Sequence, residues 1–189
     1  PQHKGWIGKF PVTNLQYQRF LDAEDFRERR FWVDFPKYGP PPGYKLQGTW
    51  GEDGWQWLRE HLKDKNYSPD DKGVVPFCWR DADFGIQRLL VPVVSVTWYE
   101  ANAYCRWLLR HWNDLPEAQA NRDWAPAEIR LPLDGEWVAA AGGDAPAERF
   151  PWDARGQVMK DENKIRQRAN LENWVGRTTP VWMYPLGAR

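Results

Sequence analysis

The sequence predicts an α+β domain of small sheets, two main helices and long irregular loops. Three observations predict it. First, two segments, residues 7–23 and 92–112, each begin as an extended apolar stretch, break at a threonine, and continue with apolar residues at helical spacing. Second, the long connection between them, residues 24–91, is studded with aromatic residues but has no sustained periodicity and no internal repeat. Third, 189 residues is a single-domain length, long enough to bury a real core, and 14 Trp, 7 Tyr and 8 Phe supply the material for it. Each large aromatic can bury roughly 150–250 Å².

The elements follow in order along the chain. Ile7–Val12 reads as a short strand ending at Thr13. Thr13-Asn14-Leu15-Gln16 then fits the capping box, in which the hydroxyl accepts an orphan amide and the glutamine returns the bond. The helix it opens carries Tyr17, Phe20 and Leu21 on one face and reaches about Ala23. Lys37-Tyr38-Gly39 with Pro40-Pro41-Pro42-Gly43 reads as a turn or polyproline segment. Trp50, Trp55, Trp57 and Leu58 mark a short helix running to about Lys63, and residues 66–73 form a polar connector. Pro92–Val96 is a β-branched run, and Thr97-Trp98-Tyr99-Glu100 is a second capping box. Behind it Ala101, Tyr104, Cys105, Leu108 and Trp112 share one helical face. Glu128–Pro132 reads as a strand entering a turn, followed by a helix from Asp134 to Ala141 that stops at Gly142-Gly143. Here Arg130 and Glu136 suit an ion pair, and Trp137 suits a core position fixing the helix against the sheet. Thr178–Val181 is the last expected strand, leading into Tyr184-Pro185.

Composition narrows the function classes. Lys and Arg number 26, Asp and Glu 26, a balance that excludes bulk attraction to nucleic acid or anionic membrane. The apolar run Leu89–Trp98 is too short to cross a bilayer and contains Pro92. The pattern is that of a cytoplasmic domain. Cys78 and Cys105 are too few for a disulfide framework, and a bond between them requires the fold to bring them together. Cys105, on the apolar stripe, reads as a buried thiol, and Cys78 in Pro76-Phe77-Cys78-Trp79 reads as packed in a loop or short strand. His3, His61 and His111 have no zinc-ligand spacing. Phosphate loops, nucleophile elbows and H-E-x-x-H are absent, and the acidic pairs Asp70-Asp71, Asp81/Asp83 and Asp161-Glu162 read as solvated loop residues.

The four segments 7–23, 92–108, 129–143 and 176–187, with Phe150-Pro151-Trp152, resemble in order and number the formylglycine-generating-enzyme (sulfatase-modifying factor) superfamily. The resemblance spans nearly the whole chain and implies a C-type-lectin-like fold forming one domain over residues 1–189, expected to lack its C-terminal part. One departure is Leu133, where that family usually places a hydroxyl residue before the third helix. The chemistry implied for the catalytic branch needs paired cysteines, soft thiolates suited to copper(I). Cys78 and Cys105 precede the Arg130–Trp137 motif and do not match those positions, so no catalytic residue is assigned. Ala169-Asn170-Leu171 resembles a calcium-binding segment of the family's enzymes, using the Asn170 side chain and the Leu171 carbonyl. The expected aspartate is missing from the short loop that follows, where Glu172 stands as a substitute; the alternative is a structural turn. Calcium is therefore the one candidate cofactor.

This short loop suits the superfamily's non-catalytic branch, which includes the variable proteins of diversity-generating retroelements. The implied function is binding of a protein or small-molecule ligand at the C-terminal face, through Trp174, Arg177, Trp182 and Tyr184. One rival is a copper- and oxygen-dependent oxidase that converts a sulfatase cysteine to formylglycine, its catalytic strand lying outside this chain. Another is an interaction domain appended to a larger signalling or ATPase protein. Because the family's fold pairs its first and last strands, the sheet is expected to be completed by a further segment of the same polypeptide or by a partner chain.

Overall fold

In a computed structural model of the chain, the residues described are 5–39, 45–68, 73–119, 124–140, 150, 152–153 and 159–187. Helix α1, Asn14–Leu21, starts as the sequence dictates. Thr13 Oγ1 accepts from the Gln16 N–H, and Gln16 Oε1 accepts the Thr13 N–H at 2.9 Å, so two orphan donors are satisfied reciprocally. A two-stranded antiparallel sheet follows, β1 at Pro36–Tyr38 and β2 at Leu46–Thr49. Helix α2 covers Asp53–His61. Helix α3, Trp98–Arg110, is the longest regular element described and opens on the second capping box, with Glu100 Oε2 2.7 Å from the Thr97 backbone nitrogen. Three short helices complete the described chain: α4 at Pro116–Gln119, α5 at Asp134–Ala140 and α6 at Glu162–Arg166. The architecture is α+β, with helices and irregular loops around a small antiparallel sheet. No described helix is long and apolar enough to cross a membrane.

The core is aromatic. Phe20 is fully buried, and its ring lies 4.7–6.2 Å from the rings of Tyr17, Phe26, Trp32, Tyr104 and Trp107. Tyr17 of α1 stacks on Tyr104 of α3 at 5.4 Å, and Trp32 stacks on Trp57 of α2 at 6.0 Å. Two polar side chains lash the loops to this core. Buried Asn14 donates through Nδ2 to the carbonyls of Phe84, Gly85 and Arg88 at 2.8–3.1 Å. Arg106 donates to the carbonyls of Val33 and Asp34 while its guanidinium covers the Phe35 ring at 4.6 Å. Gly85 has to be glycine on packing grounds, since a Cβ there would run into the carbonyls of Trp79 and Asp81.

Several expectations are corrected. Residues 7–12 form no strand, and Ile7 and Phe10 are exposed. One bridge joins Thr13 to Pro92, beside the Val93 N–H bond to the Val12 carbonyl at 2.9 Å. Pro11 and Pro92 lack the donors that a longer ladder needs. Pro92–Val96, Glu128–Pro132 and Thr178–Val181 are likewise irregular, each containing a proline. Conversely, Lys37 and Tyr38 lie in β1 and not in a turn; residues 40–43 lie outside the described residues, as do Gly142 and Gly143. On α3 the buried apolar positions are Ala103, Tyr104, Cys105 and Trp107, while Ala101 and Leu108 are only half-buried, as is Trp112 in the 3-10 turn beyond the helix. Trp137 is 61% exposed and is not a core residue, because no residue of the short α5 is buried.

Glu100 shows what the second capping box costs. Its carboxylate is buried, with Oε1 lacking a hydrogen-bond partner among the described residues. Burial pushes its pKa above the ordinary carboxylate value; the two bonds from Thr97 and the field of His61 oppose this only in part. Because the folded state holds this proton more tightly, the contribution is present at pH below the ordinary carboxylate value and is lost as pH rises through the folded pKa. Gln16 shows that an amide completes the same box. Glu100→Gln is therefore expected to gain stability relative to the parent as pH is raised from about 4 to 7, measured by urea denaturation across that range. A difference independent of pH would show that Glu100 does not hold its proton in this way. Thr97→Ala, which removes the hydroxyl half of the box, is expected to cost about 0.5–2 kcal/mol in the same measurement.

Candidate functional site

The first cap and the Asn14 anchor together shape a cleft. Thr13 turns the incoming chain so that residues 8–11 run beside the outer face of α1. On that face Leu15 and Arg19, one helical turn apart, point away from the buried Tyr17 and Phe20. The Asn14 and Leu15 N–H groups bond the carbonyls of Val91 and Leu89 at 3.0 and 2.9 Å, which fixes Leu90 at the edge. The Val181 N–H in turn bonds the Leu90 carbonyl at 3.2 Å and brings Trp182 alongside. The resulting cleft has a volume of about 520 Å³, with apolar walls from Phe10, Leu15, Leu90 and Trp182 and cations at Lys9 and Arg19. Lys9 Nζ lies 5.5 Å from the centre of the Phe10 ring. Trp182 is 51% exposed, so a large apolar ring faces solvent at the cleft.

Of the four expected ligand residues, Trp182 alone lines this cleft. Trp174 is half-buried beneath the Arg166 guanidinium at 4.5 Å. Arg177 is exposed and lies 3.6 Å from an Asp83 carboxylate oxygen. Tyr184 is half-buried, and its carbonyl accepts the Gly187 N–H. Sequence reasoning missed Lys9, Phe10, Leu15, Arg19 and Leu90. The available signal was the side of α1 opposite the apolar stripe, where a leucine stands among polar neighbours.

The calcium candidates lie in a tight turn. Asn170 donates its amide to the Arg177 carbonyl at 2.8 Å, and the Leu171 carbonyl accepts the Trp174 N–H at 3.1 Å. Glu172 and Asn173 have left-handed backbones, φ 51° and 60°. Calcium takes six to eight oxygens, more than the Asn170 side chain, the Leu171 carbonyl and the Glu172 carboxylate supply together, and the described residues contain no cluster of three His, Cys, Asp or Glu able to hold a metal. In the third motif Arg130 and Glu136 form the expected pair, two bonds of 2.7 Å, and Glu136 also accepts the Leu133 N–H at 2.8 Å. Glu136 thus supplies the returning half of a capping box that lacks its hydroxyl. Phe150 stacks on Trp152 at 4.9 Å, over the buried Asp153.

Neither cysteine is in a disulfide. Cys105 is buried in α3, where burial pushes its thiol up to about 11. Cys78 is half-buried, its sulfur 3.0 Å from the Ser95 hydroxyl. Burial of Cys105 disfavours the thiolate form that a copper(I) centre takes.

Residues 3–187 match the family described as the Sulfatase-modifying factor enzyme 1-like domain. The chain belongs to this family. Among relatives of this sulfatase-modifying-factor domain, it is 28% identical over 186 residues to "Hercynine oxygenase" of Mycolicibacterium thermoresistibile, covering 96% of this chain and 31% of that protein. It is 27% identical over 195 residues to "Inactive C-alpha-formylglycine-generating enzyme 2" of Mus musculus, covering 95% of this chain and 51% of the relative. It is 32% identical over 94 residues, half of this chain and 10% of the relative, to "Serine/threonine-protein kinase pkn1" of Chlamydia pneumoniae. The chain spans 31% of the length of the first of these and about half of the second. No solved structure matches it significantly.

The two thiols of this sulfatase-modifying-factor domain should separate kinetically. Titration of the native chain with a disulfide reagent at pH 8 is expected to modify Cys78 first, with Cys105 reacting at full rate only in denaturant. Equal rates in the native state would contradict the burial of Cys105.

Proposed function

We propose that this chain is a non-catalytic binding domain on a formylglycine-generating-enzyme scaffold, comparable in role to the variable proteins of diversity-generating retroelements, and that it takes its ligand at the face carrying Trp182. The observation that carries this reading is the cleft, which has a volume of about 520 Å³, within the usual ligand-site range, and a half-exposed tryptophan in its wall. The Asn14, Arg106, Arg130 and Glu136 side chains, which have the best polar geometry, are committed to backbone or to each other. A relative whose name marks it inactive supports the idea that the scaffold serves without the oxidation chemistry.

A second reading, an oxygen-dependent enzyme, is favoured by the relative named hercynine oxygenase. In its formylglycine form it would need thiolate ligands that Cys78 and Cys105 do not fit. The match to part of a kinase supports, in turn, an appended interaction domain in a longer protein. In both cases the activity would belong to a polypeptide of which this chain is a part, or to a partner that completes the sheet.

Indole serves as a neutral probe of the cleft. Saturation-transfer NMR is expected to show indole bound to the parent chain and to Trp137→Ala, and released by Trp182→Ala, both residues being exposed tryptophans at different places. In parallel, the chain supplied with copper(I) and a cysteine-containing sulfatase peptide is expected to consume no oxygen above the peptide-free rate. Indole binding untouched by Trp182→Ala would overturn the assignment of the surface. Peptide-dependent oxygen uptake would overturn the non-catalytic reading.

A further inference from the structure

We infer that the cleft is selective for a small aromatic carboxylate, a ligand with a flat apolar body and one anionic group. This rests on the reading of the cleft as a binding site and adds the class of ligand. The walls set the first half of the specificity. Phe10 and Trp182 offer aromatic faces and Leu15 and Leu90 offer aliphatic ones, so a planar hydrocarbon body can displace water from both sides.

Charge sets the second half. Among the described residues that line the cleft, Lys9 and Arg19 are the charged ones, and both are cations. The chain as a whole balances 26 basic against 26 acidic residues, so this local excess is a feature of the site and not of bulk composition. Lys9 packs its ammonium against the Phe10 ring, which puts a positive charge directly beside an apolar wall. Arg19 has contacts of its own, and its planar guanidinium suits bidentate recognition of a carboxylate. A carboxylate carried by an apolar body meets both cations without leaving the apolar walls. An ammonium on the same body would sit against the like charge of these two cations. A protein partner is less well suited, because the cleft is of small-molecule size, about 520 Å³.

Three ligands with one ring system separate the two claims: indole, indoleacetate and tryptamine. Saturation-transfer NMR titrations of the 189-residue chain are expected to rank indoleacetate about tenfold tighter than tryptamine at low salt, a gap that narrows as ionic strength rises. Lys9→Glu, in the segment before α1, is expected to abolish the ranking while indole affinity stays within about twofold. Arg19→Gln is expected to narrow it, with circular dichroism confirming that α1 persists. If all three ligands bind alike and Trp182→Ala releases them all, the carboxylate preference is wrong while the binding site stands. If none binds, the binding reading itself fails. Concentration-dependent dimerisation abolished by Trp182→Ala would show that a second copy of the chain occupies the cleft, and would overturn the small-ligand assignment.

Discussion

Burial of the Phe20 ring is the constraint on which the rest of this structure depends. It sits where α1, α3 and the loop 26–35 converge, and five other aromatic rings close around it. With the described sheet limited to two short strands, no extended sheet face among the described residues organises the core. Aromatic side chains take that part. Each can bury roughly 150–250 Å² on few rotatable bonds, so a small number of rings can hold long irregular segments that backbone ladders would otherwise fix. Trp32 illustrates this: fully buried in a segment just after a single 3-10 turn, it stacks on Phe20 and Trp57 and donates its indole N–H to the Phe26 carbonyl at 2.8 Å.

A core built on loops needs its backbone groups satisfied by side chains, since buried polar groups left unpaired are costly. Asn14 meets that need for residues 84–88 and Arg106 for residues 30–34. Both are on helices, so the rigid elements act as posts to which the irregular chain is tied. The cleft is a consequence of the same device. The hydrogen bonds that start α1 also hold Leu89–Val91, and Leu90 then receives Val181. The site is shaped by the first turn of one helix, although its walls come from three distant parts of the sequence.

What the sequence made legible was local. Both capping boxes, the helices they open, the Arg130–Glu136 pair and the buried Cys105 follow from residues within a few positions of each other. The expected strands failed because a strand is defined by its partner, and composition alone does not show where an N–H will find a carbonyl. Prolines at 11, 92, 132 and 180 were the warning in each case. Trp137 failed for a related reason: a tryptophan reads as core material until the size of the element carrying it is known, and α5 is too short to bury a face. Of the four expected ligand residues, Trp182 is the one that lines the cleft. Lys9, Arg19 and Leu90 carry no motif, and their relation arises from the tie between α1 and residues 89–91.

The two capping boxes differ by one group, and the difference separates scaffold from function. Gln16 is exposed and lines the cleft, while Glu100 performs the same task inside the core. An amide would cap α3 without the desolvation that a buried carboxylate suffers. The electrostatic gain of an acid in the first turn of a helix offsets only part of that cost. Tyr17, whose buried hydroxyl also lacks a partner among the described residues, is held above its usual pKa first by burial and then by the field of Glu100. This pair belongs to the α1–α3 contact that positions everything else, so its ionisation acts on the fold and not on the cleft. Chemistry on such a scaffold is set by what is added to its surface. In this chain the cleft beside Trp182 joins apolar walls to the cations Lys9 and Arg19, and the proposed binding role rests on that arrangement.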